Sequence, residues 1–438
     1  MRDFAVSDDA RVQRQLDRLG ALSLPQGRFG LEAIRELLGR LGDPHLAIPP
    51  AFHVAGTNGK GSTCAFLRAI LEARGLRVHA MASPHLVRYN ERIRLAGKLI
   101  DDAELAQVLK QVLDLADGLA VSFFEVTIAA SFLAFSRHPA DACVIEVGLG
   151  GRFDATNVLP APLVTGIATL GIDHERFLLA PDPDAPPEPL ARIAFEKAGI
   201  RRTDVPLVTQ AYPSMAADII SALANADSVP LVMRGAAWDA QTTPDALHYR
   251  DQAGELTLPL PALPGTHQAD NAALAVAMLR HQGRLPISTE AMAAGILGAR
   301  WSARMQRLSS GPVSDILPGA ALWLDGGHNR DAGLALARFV DERGIRPHLI
   351  LGMIAGKDPG ALLDPLHSRV CSVTVVPVPG HDHHPPEAFA GWPMPTTTAP
   401  DVLAALSALR DHAPDSVLIA GSLYLAGAVL RANGEMPD

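Results

Sequence analysis

Apolar residues follow two rhythms along this chain. Short runs rich in Val and Ile alternate with longer stretches of helical period, which is the pattern of a parallel sheet with crossover helices. Residues 51–56 (AFHVAG) predict a buried strand running into a glycine-rich loop. Helical period follows through Phe66, Leu67, Ile70 and Leu71, with Gly75 as a C-terminal stop. Residues 76–82 predict the next strand. A helix then starts at Asp101-Asp102, which can cap it, and presents Leu105, Val108, Leu109, Val112 and Leu113 on one face. Residues 141–148 and 163–169 predict two more inner strands.

The rhythm breaks at residues 181–189, where five prolines stand with Asp182, Asp184 and Glu188. Proline can neither donate to a ladder nor sit inside a helix, so this segment predicts an exposed acidic loop inserted within a domain. Residues 236–262 are more polar and alternate, as in a small antiparallel excursion. A second α/β pattern begins after about residue 310, with strands at 321–325, 347–352, 372–377 and 417–420. The connector 299–308 predicts a hinge. The expected architecture is therefore α/β, with a P-loop parallel-sheet domain over residues 1–298 and a smaller Rossmann-like α/β domain over 299–438.

Composition narrows the class without changing that picture. The 438 residues are 48% hydrophobic and 19% charged, enough for a large core and incompatible with a disordered chain. The net charge of −9 argues against a general nucleic-acid or anionic-membrane binder. Cys64, Cys143 and Cys371 lie far apart and form neither a disulfide framework nor a zinc pattern, which suits a reducing cytoplasm. The first residues carry no apolar signal region, and the apolar stretch 417–430 is too short to span a bilayer. A cytoplasmic monomer is expected.

Gly56-Thr-Asn-Gly-Lys-Gly-Ser-Thr63 carries the strongest chemical signal. Between a strand and a helix, its successive backbone N–H groups form an anion cradle, Lys60 offers a charge to phosphates, and Ser62 or Thr63 a hydroxyl to Mg²⁺. It departs from the strict P-loop spacing: Val54 stands where the first glycine belongs, and Gly61 follows the lysine. Glu146 stands in a run otherwise fit for burial on both faces, so it needs a partner: Mg²⁺ beside the phosphate loop, or a basic neighbour such as Arg152. His174 and Ser83 follow other strand ends and gain weight only from each other's company. Lys197, in IAFEKAG, reads locally as a cation in a helix's last turn. His381-Asp-His-His384 reads as a solvated loop between Pro-Gly and Pro-Pro.

Longer strings extend these signals: SPHLVRYNER from Ser83, EVGLGGRFDATN from Val147's neighbour Glu146, FEKAG from Phe195 and DGGHN from Asp325. With Asp173-His174, Asp270-Asn271, Arg304-Met-Gln306, Lys357-Asp358 and Gly421-Ser-Leu-Tyr424, in this order, the chain resembles the bacterial folylpolyglutamate synthase/dihydrofolate synthase group. That group is a branch of the Mur-ligase-like ATP-dependent amide ligases. The resemblance implies ATP on Thr57, Asn58, Gly59, Lys60, Gly61 and Ser62, completed by Asn271, Arg304 and Asp325. It implies Mg²⁺ at two sites held by Ser83, Glu146, His174 and Lys197, the last carbamylated and so acting as a carboxylate. Lys60, His174 and Lys197 are thereby implied to be catalytic. A pterin substrate is implied against Arg28, Phe29, Gly30, Leu31, Phe124, Glu125, Phe153, Asp154 and Ala155.

The implied reaction is ATP-dependent ligation of L-glutamate to dihydropteroate, and to the glutamate tail of reduced folates, through an acyl phosphate. A monofunctional folylpolyglutamate synthase is the nearest alternative. A Mur-type ligase is disfavoured because only about 50 residues precede the phosphate loop, and a motor-like P-loop NTPase would ligate nothing. Three features depart from the group's pattern: Ser302-Ala303 replaces Pro-Gly before Arg304, Gly326-Gly327 replaces Val-Ala, and the Pro-rich segment lengthens a loop.

Overall fold

A computed structural model describes residues 6–22 and 30–437. The chain divides into two compact units, one comprising residues 1–262 and 268–300, the other residues 263–267 and 301–438.

The first unit is built on eight strands: β1 (Ala51–Ala55), β2 (Val78–Met81), β3 (Ile93–Leu95), β4 (Lys98–Leu99), β5 (Ala142–Glu146), β6 (Val164–Ile167), β7 (Leu207–Thr209) and β8 (Leu231–Met233). They form one sheet in the order β4-β3-β2-β5-β1-β6-β7-β8. Strands β2, β5, β1, β6, β7 and β8 run parallel, and β3 and β4 add an antiparallel edge. Every residue of β1, β5 and β6 is buried, the signature of parallel strands covered on both faces and the reason they read as unbroken apolar runs. The predicted helix at 101 forms as Asp102–Leu115, with the Asp101 carboxylate accepting from the Glu104 N–H. Its buried face packs with the helices Ala10–Gly20 and Phe123–Arg137 on one side of the sheet.

The predicted antiparallel excursion is a meander of β9 (Trp238–Thr242), β10 (Leu247–Asp251) and β11 (Gly254–Leu258). The Asp251 carboxylate accepts two hydrogen bonds from Arg280, both 2.6 Å, and so joins this meander to the helix His267–His281.

The second unit holds β12 (Gln306–Arg307), β13 (Ala321–Leu324), β14 (His348–Leu351), β15 (Ser372–Val375), β16 (Thr396–Thr398) and β17 (Ser416–Ala420), in the order β12-β13-β17-β14-β15-β16. All pairings are parallel except β12 with β13. The end of the connector expected to be a hinge is thus an edge strand. Its two residues pair with Trp323 and Leu324, which a short polar segment does not announce.

The Pro-rich segment corrects two expectations. Pro189 is the first residue of the helix Pro189–Ala198, where its missing N–H costs nothing. Asp182, expected in solvent, has a side chain only 5% exposed and ion-paired. Among the described residues, no helix is long and apolar enough to cross a membrane.

Candidate active site

The register of the first sheet gathers four strand ends. Val54 lies opposite Glu146, Ala55 opposite Ile167, and Met81 opposite Ile145. The loops leaving β1, β2, β5 and β6 therefore open along one edge, where parallel α/β sheets receive ligands.

The loop after β1 turns into the helix Lys60–Ala73 through Gly59 at φ +81°. A Cβ on Gly59 would lie 2.3 Å from Asn271 Oδ1, so the turn leaves no room for a side chain beside Asn271. The N–H groups of Thr57 and Asn58 both donate to the Thr169 carbonyl, which ties this loop to the segment after β6. The donors open to an anion include those of the first helical turn, Lys60, Gly61 and Ser62, which have no acceptor within the helix.

Lys60 Nζ donates to the carbonyls of Gly56 (2.9 Å) and Thr57 (3.2 Å). Lys197 Nζ donates to the same Gly56 carbonyl, also at 2.9 Å. Two lysines from different helices thus converge on one loop oxygen. Lys197 does sit in the last turn of the helix Pro189–Ala198, but it is only 3% exposed, unlike an ordinary helix-terminal lysine. The physical reason is backbone packing: a Cβ on Gly151 would meet the Glu196 carbonyl at 2.7 Å, and one on Gly199 the Arg152 Cβ at 2.4 Å. The loop after β5 lies directly on the helix end and seals the amine. Burial, and then the charge of Lys60, lower the Lys197 pKa to about 7, against the opposing pull of Asp173, Asp154 and Glu196.

Glu146 is buried at the end of β5, and its Oε2 accepts from the Ser83 N–H at 3.3 Å. Ser83 precedes a cis bond to Pro84. Arg152, the alternative partner of Glu146, instead pairs with Asp182 and Glu196. His174 caps the helix Glu175–Leu178 with φ +54°, and its N–H donates to the Asp173 carboxylate. Among the described residues, no group of three or more His, Cys, Asp and Glu forms a dedicated metal cage. A buried carboxylate and a serine beside a helix N-terminus fit Mg²⁺, which keeps most of its shell for water and phosphate oxygens.

Among the described pterin-implied residues, Phe124 lies against the loop after β5, and Phe153, Asp154 and Ala155 continue it. A Cβ on Gly148 would lie 2.3 Å from Phe124 Cζ, so the Phe124 ring covers this loop closely. Glu125 is drawn partly into structure: its Oε2 accepts from the N–H and hydroxyl of Ser122, closing a capping box. Asp154 is buried and accepts from the N–H groups of Leu149 and Thr156 and from the Thr156 hydroxyl, while burial raises its pKa. The Thr156 hydroxyl also meets His53 Nε2 at 2.8 Å, a link from β1 that no pattern in the sequence announces. Ala155 opens the short helix Ala155–Val158, and Leu31 caps the helix Glu32–Arg40 just after Gly30. Arg28 and Phe29 lie outside the described residues.

In the second unit the Asp325 carboxylate accepts from the N–H groups of Met305 (2.8 Å) and Gly327 (2.7 Å). It thereby holds the turn that carries Arg304. Ala303 and Met305, on either side of Arg304, both have left-handed backbones, φ +55° and +43°. The His381–His384 loop is less solvated than expected. The His381 ring stacks on Tyr424 with centroids 3.7 Å apart, and His384 Nε2 meets the Lys357 carbonyl.

No protein-family model matches the chain. It is 33% identical over 344 residues to the dihydrofolate synthase/folylpolyglutamate synthase of Bacillus subtilis, covering 75% of this chain and 76% of that protein. Its structure is similar to that of Escherichia coli FolC in complex with DHPP and ADP, with a TM-score of 0.83, 30% identity, and coverage of 96% and 97% of the two chains. It is equally similar (TM-score 0.83, 30% identity, 99% of each chain) to a bifunctional folylpolyglutamate synthase/dihydrofolate synthase with Mn, AMPPNP and L-glutamate bound.

Proposed function

The chain belongs to the dihydrofolate synthase/folylpolyglutamate synthase family, and from that premise we propose how its own residues carry out the ligation. The substrates are dihydropteroate or a reduced folate, L-glutamate and ATP. A carboxylate is a poor electrophile, so its oxygen first attacks the γ-phosphorus of ATP and expels ADP, leaving an acyl phosphate. The glutamate amine then attacks the acyl carbon, loses a proton, and the tetrahedral intermediate expels phosphate to leave an amide.

The observation that carries this reading is the convergence of Lys60 and Lys197 on the Gly56 carbonyl, at a helix N-terminus beside the buried Glu146. The first-turn N–H groups and the Lys60 ammonium bind the ATP phosphates, Lys60 exchanging its loop carbonyls for phosphate oxygens. Asn271, beside Gly59, is assigned to ATP as well. Ser83, Glu146 and His174 would hold one Mg²⁺, and Lys197, as its carbamate, would hold a second. Bound there, Mg²⁺ supplies charge neutralisation to the transferring phosphoryl group. An amine with a pKa near 7 is substantially neutral at neutral pH, and the neutral amine is the form that adds CO₂. The pterin is assigned to Arg28 through Leu31, Phe124, Glu125 and Phe153 through Ala155. The Phe124 ring lies against the loop after β5, within the segment assigned to the pterin.

The test is a matrix of dihydropteroate, tetrahydrofolate, glutamate and ATP, with products identified by mass. Dihydrofolate and a glutamylated tetrahydrofolate are expected. Product from tetrahydrofolate alone would reduce the activity to folylpolyglutamate synthesis, and ATP hydrolysis without an amide would overturn the reading.

A further inference from the structure

The proline-rich segment is tied down by charges that the proposed chemistry leaves unused. Asp182 Oδ2 lies 2.5 Å from the Arg152 guanidinium, and its Oδ1 accepts from the Asp184 N–H at 3.1 Å. Arg152 also pairs with Glu196 at 2.8 Å. Arg192, 4.0 Å from Asp182 and 3.8 Å from Glu196, donates to the Ala180 carbonyl at 2.7 Å. Two arginines and two carboxylates thus form a closed set, and the Asp182, Arg192 and Glu196 side chains are each less than one tenth exposed. At this depth the loss of one carboxylate leaves two arginines sharing a single counter-charge, rather than breaking a surface pair that water replaces.

The set ends on the substrate loop. The Arg152 guanidinium carbon sits 4.3 Å from the centre of the Phe153 ring and 4.7 Å from that of Phe195. Arg152 is therefore held between two rings by two carboxylates, and its position sets that of Phe153. Phe195 and Glu196 come from the helix Pro189–Ala198, and Asp182 from the segment before it. The prolines restrict the backbone around Asp182, so that carboxylate is presented at little entropic cost.

We propose that Asp182 is a positioning residue for folate recognition: through Arg152 it sets the Phe153 ring against the pterin. This rests on the assignment of Phe153 to the pterin under the proposed function. Asp182 touches no reacting atom, so its effect falls on the affinity for the pterin substrate, and the ATP site, built from the loop after β1, is left alone.

Asp182→Asn keeps the shape and the hydrogen bond to Asp184 but removes one of the two carboxylate charges that hold Arg152. It is expected to raise KM for dihydropteroate about tenfold, within the range of coupling energies between contacting residues, with KM for ATP and kcat within about twofold. In a Phe153→Leu background the same substitution is expected to change KM for dihydropteroate less than twofold, because the ring it acts through is gone. Equal rises in both KM values, or an undiminished effect in the Phe153→Leu background, would overturn the proposal by making Asp182 a merely structural residue. An unchanged KM for dihydropteroate would overturn it too. The unsubstituted chain is assayed alongside: if it ligates nothing, the functional reading itself falls, whereas a working parent with an indifferent Asp182→Asn variant refutes only the positioning role.

Discussion

Lys197→Met removes the most costly charge in the site while keeping an unbranched side chain of similar length. Lowering the amine's pKa from 10.5 to about 7 means that the protonated form is held in the fold at a cost on the order of 5 kcal/mol. The sign follows from proton counting. Between about pH 7 and 10.5 the folded chain holds fewer protons than the unfolded one, so stability rises with pH by about 1.4 kcal/mol per unit. Below about pH 7 the full penalty is present, and above 10.5 it is gone. Against it stands the hydrogen bond from Nζ to the Gly56 carbonyl, worth about 1.5–3 kcal/mol for a charged donor. The Met variant is therefore expected to be more stable than the parent near pH 7 by about 2–3 kcal/mol, and inactive. Paired urea denaturations at pH 7, 8 and 9 in CO₂-free buffer measure this directly. The stability gap should close by about 1.4 kcal/mol per pH unit and reverse at high pH. Bicarbonate with Mg²⁺ should then stabilise the parent and leave the variant unmoved. A gap independent of pH, or a variant less stable than the parent throughout, would refute the account of Lys197.

Glu146→Gln retains size and hydrogen bonding but removes the only charge at the end of β5, so ligation should fall by orders of magnitude, and raising Mg²⁺ should recover part of it. A loss of stability with normal turnover per folded molecule would make Glu146 structural. Ala303→Gly should relieve the left-handed strain beside Arg304, worth about 1–2 kcal/mol for an L residue and partly offset by the freedom of an unfolded glycine. The melting midpoint of the second unit should rise by a few degrees, about 2–4 °C, and a fall would show that the turn tolerates alanine without strain.

The sheet strands were legible because burial on both faces leaves an unbroken apolar run, and for the same reason Glu146 stood out inside β5. The phosphate loop was legible because its glycines sit where the backbone turns through Gly59. Lys197 was not, because the contacts that bury it come from Gly151 and Arg152, far away in sequence. Local rules place a lysine near a helix C-terminus in solvent, and only the longer resemblance pointed to a role. Asp182 failed for a related reason: acidic residues among prolines read as a solvated loop until the guanidiniums of Arg152 and Arg192 are placed beside them. The left-handed Ala303 shows the converse. Its departure from a Pro-Gly pair was visible in the sequence, but the strain behind it needed a backbone. His53 is a polar residue in a fully buried strand, a signal present in the sequence, yet its partner Thr156 could not be named without the fold.

The central claim is that ATP activates the pterin substrate's carboxylate at the loop holding Lys60 and Lys197. Dihydropteroate labelled with ¹⁸O in its carboxylate tests it in one measurement. If the carboxylate attacks ATP, one labelled oxygen leaves with inorganic phosphate as the amide forms, and the phosphate gains the corresponding mass in proportion to the dihydrofolate made. Dihydrofolate accompanied by unlabelled phosphate, or labelled substrate recovered intact while ATP is consumed, would contradict the account.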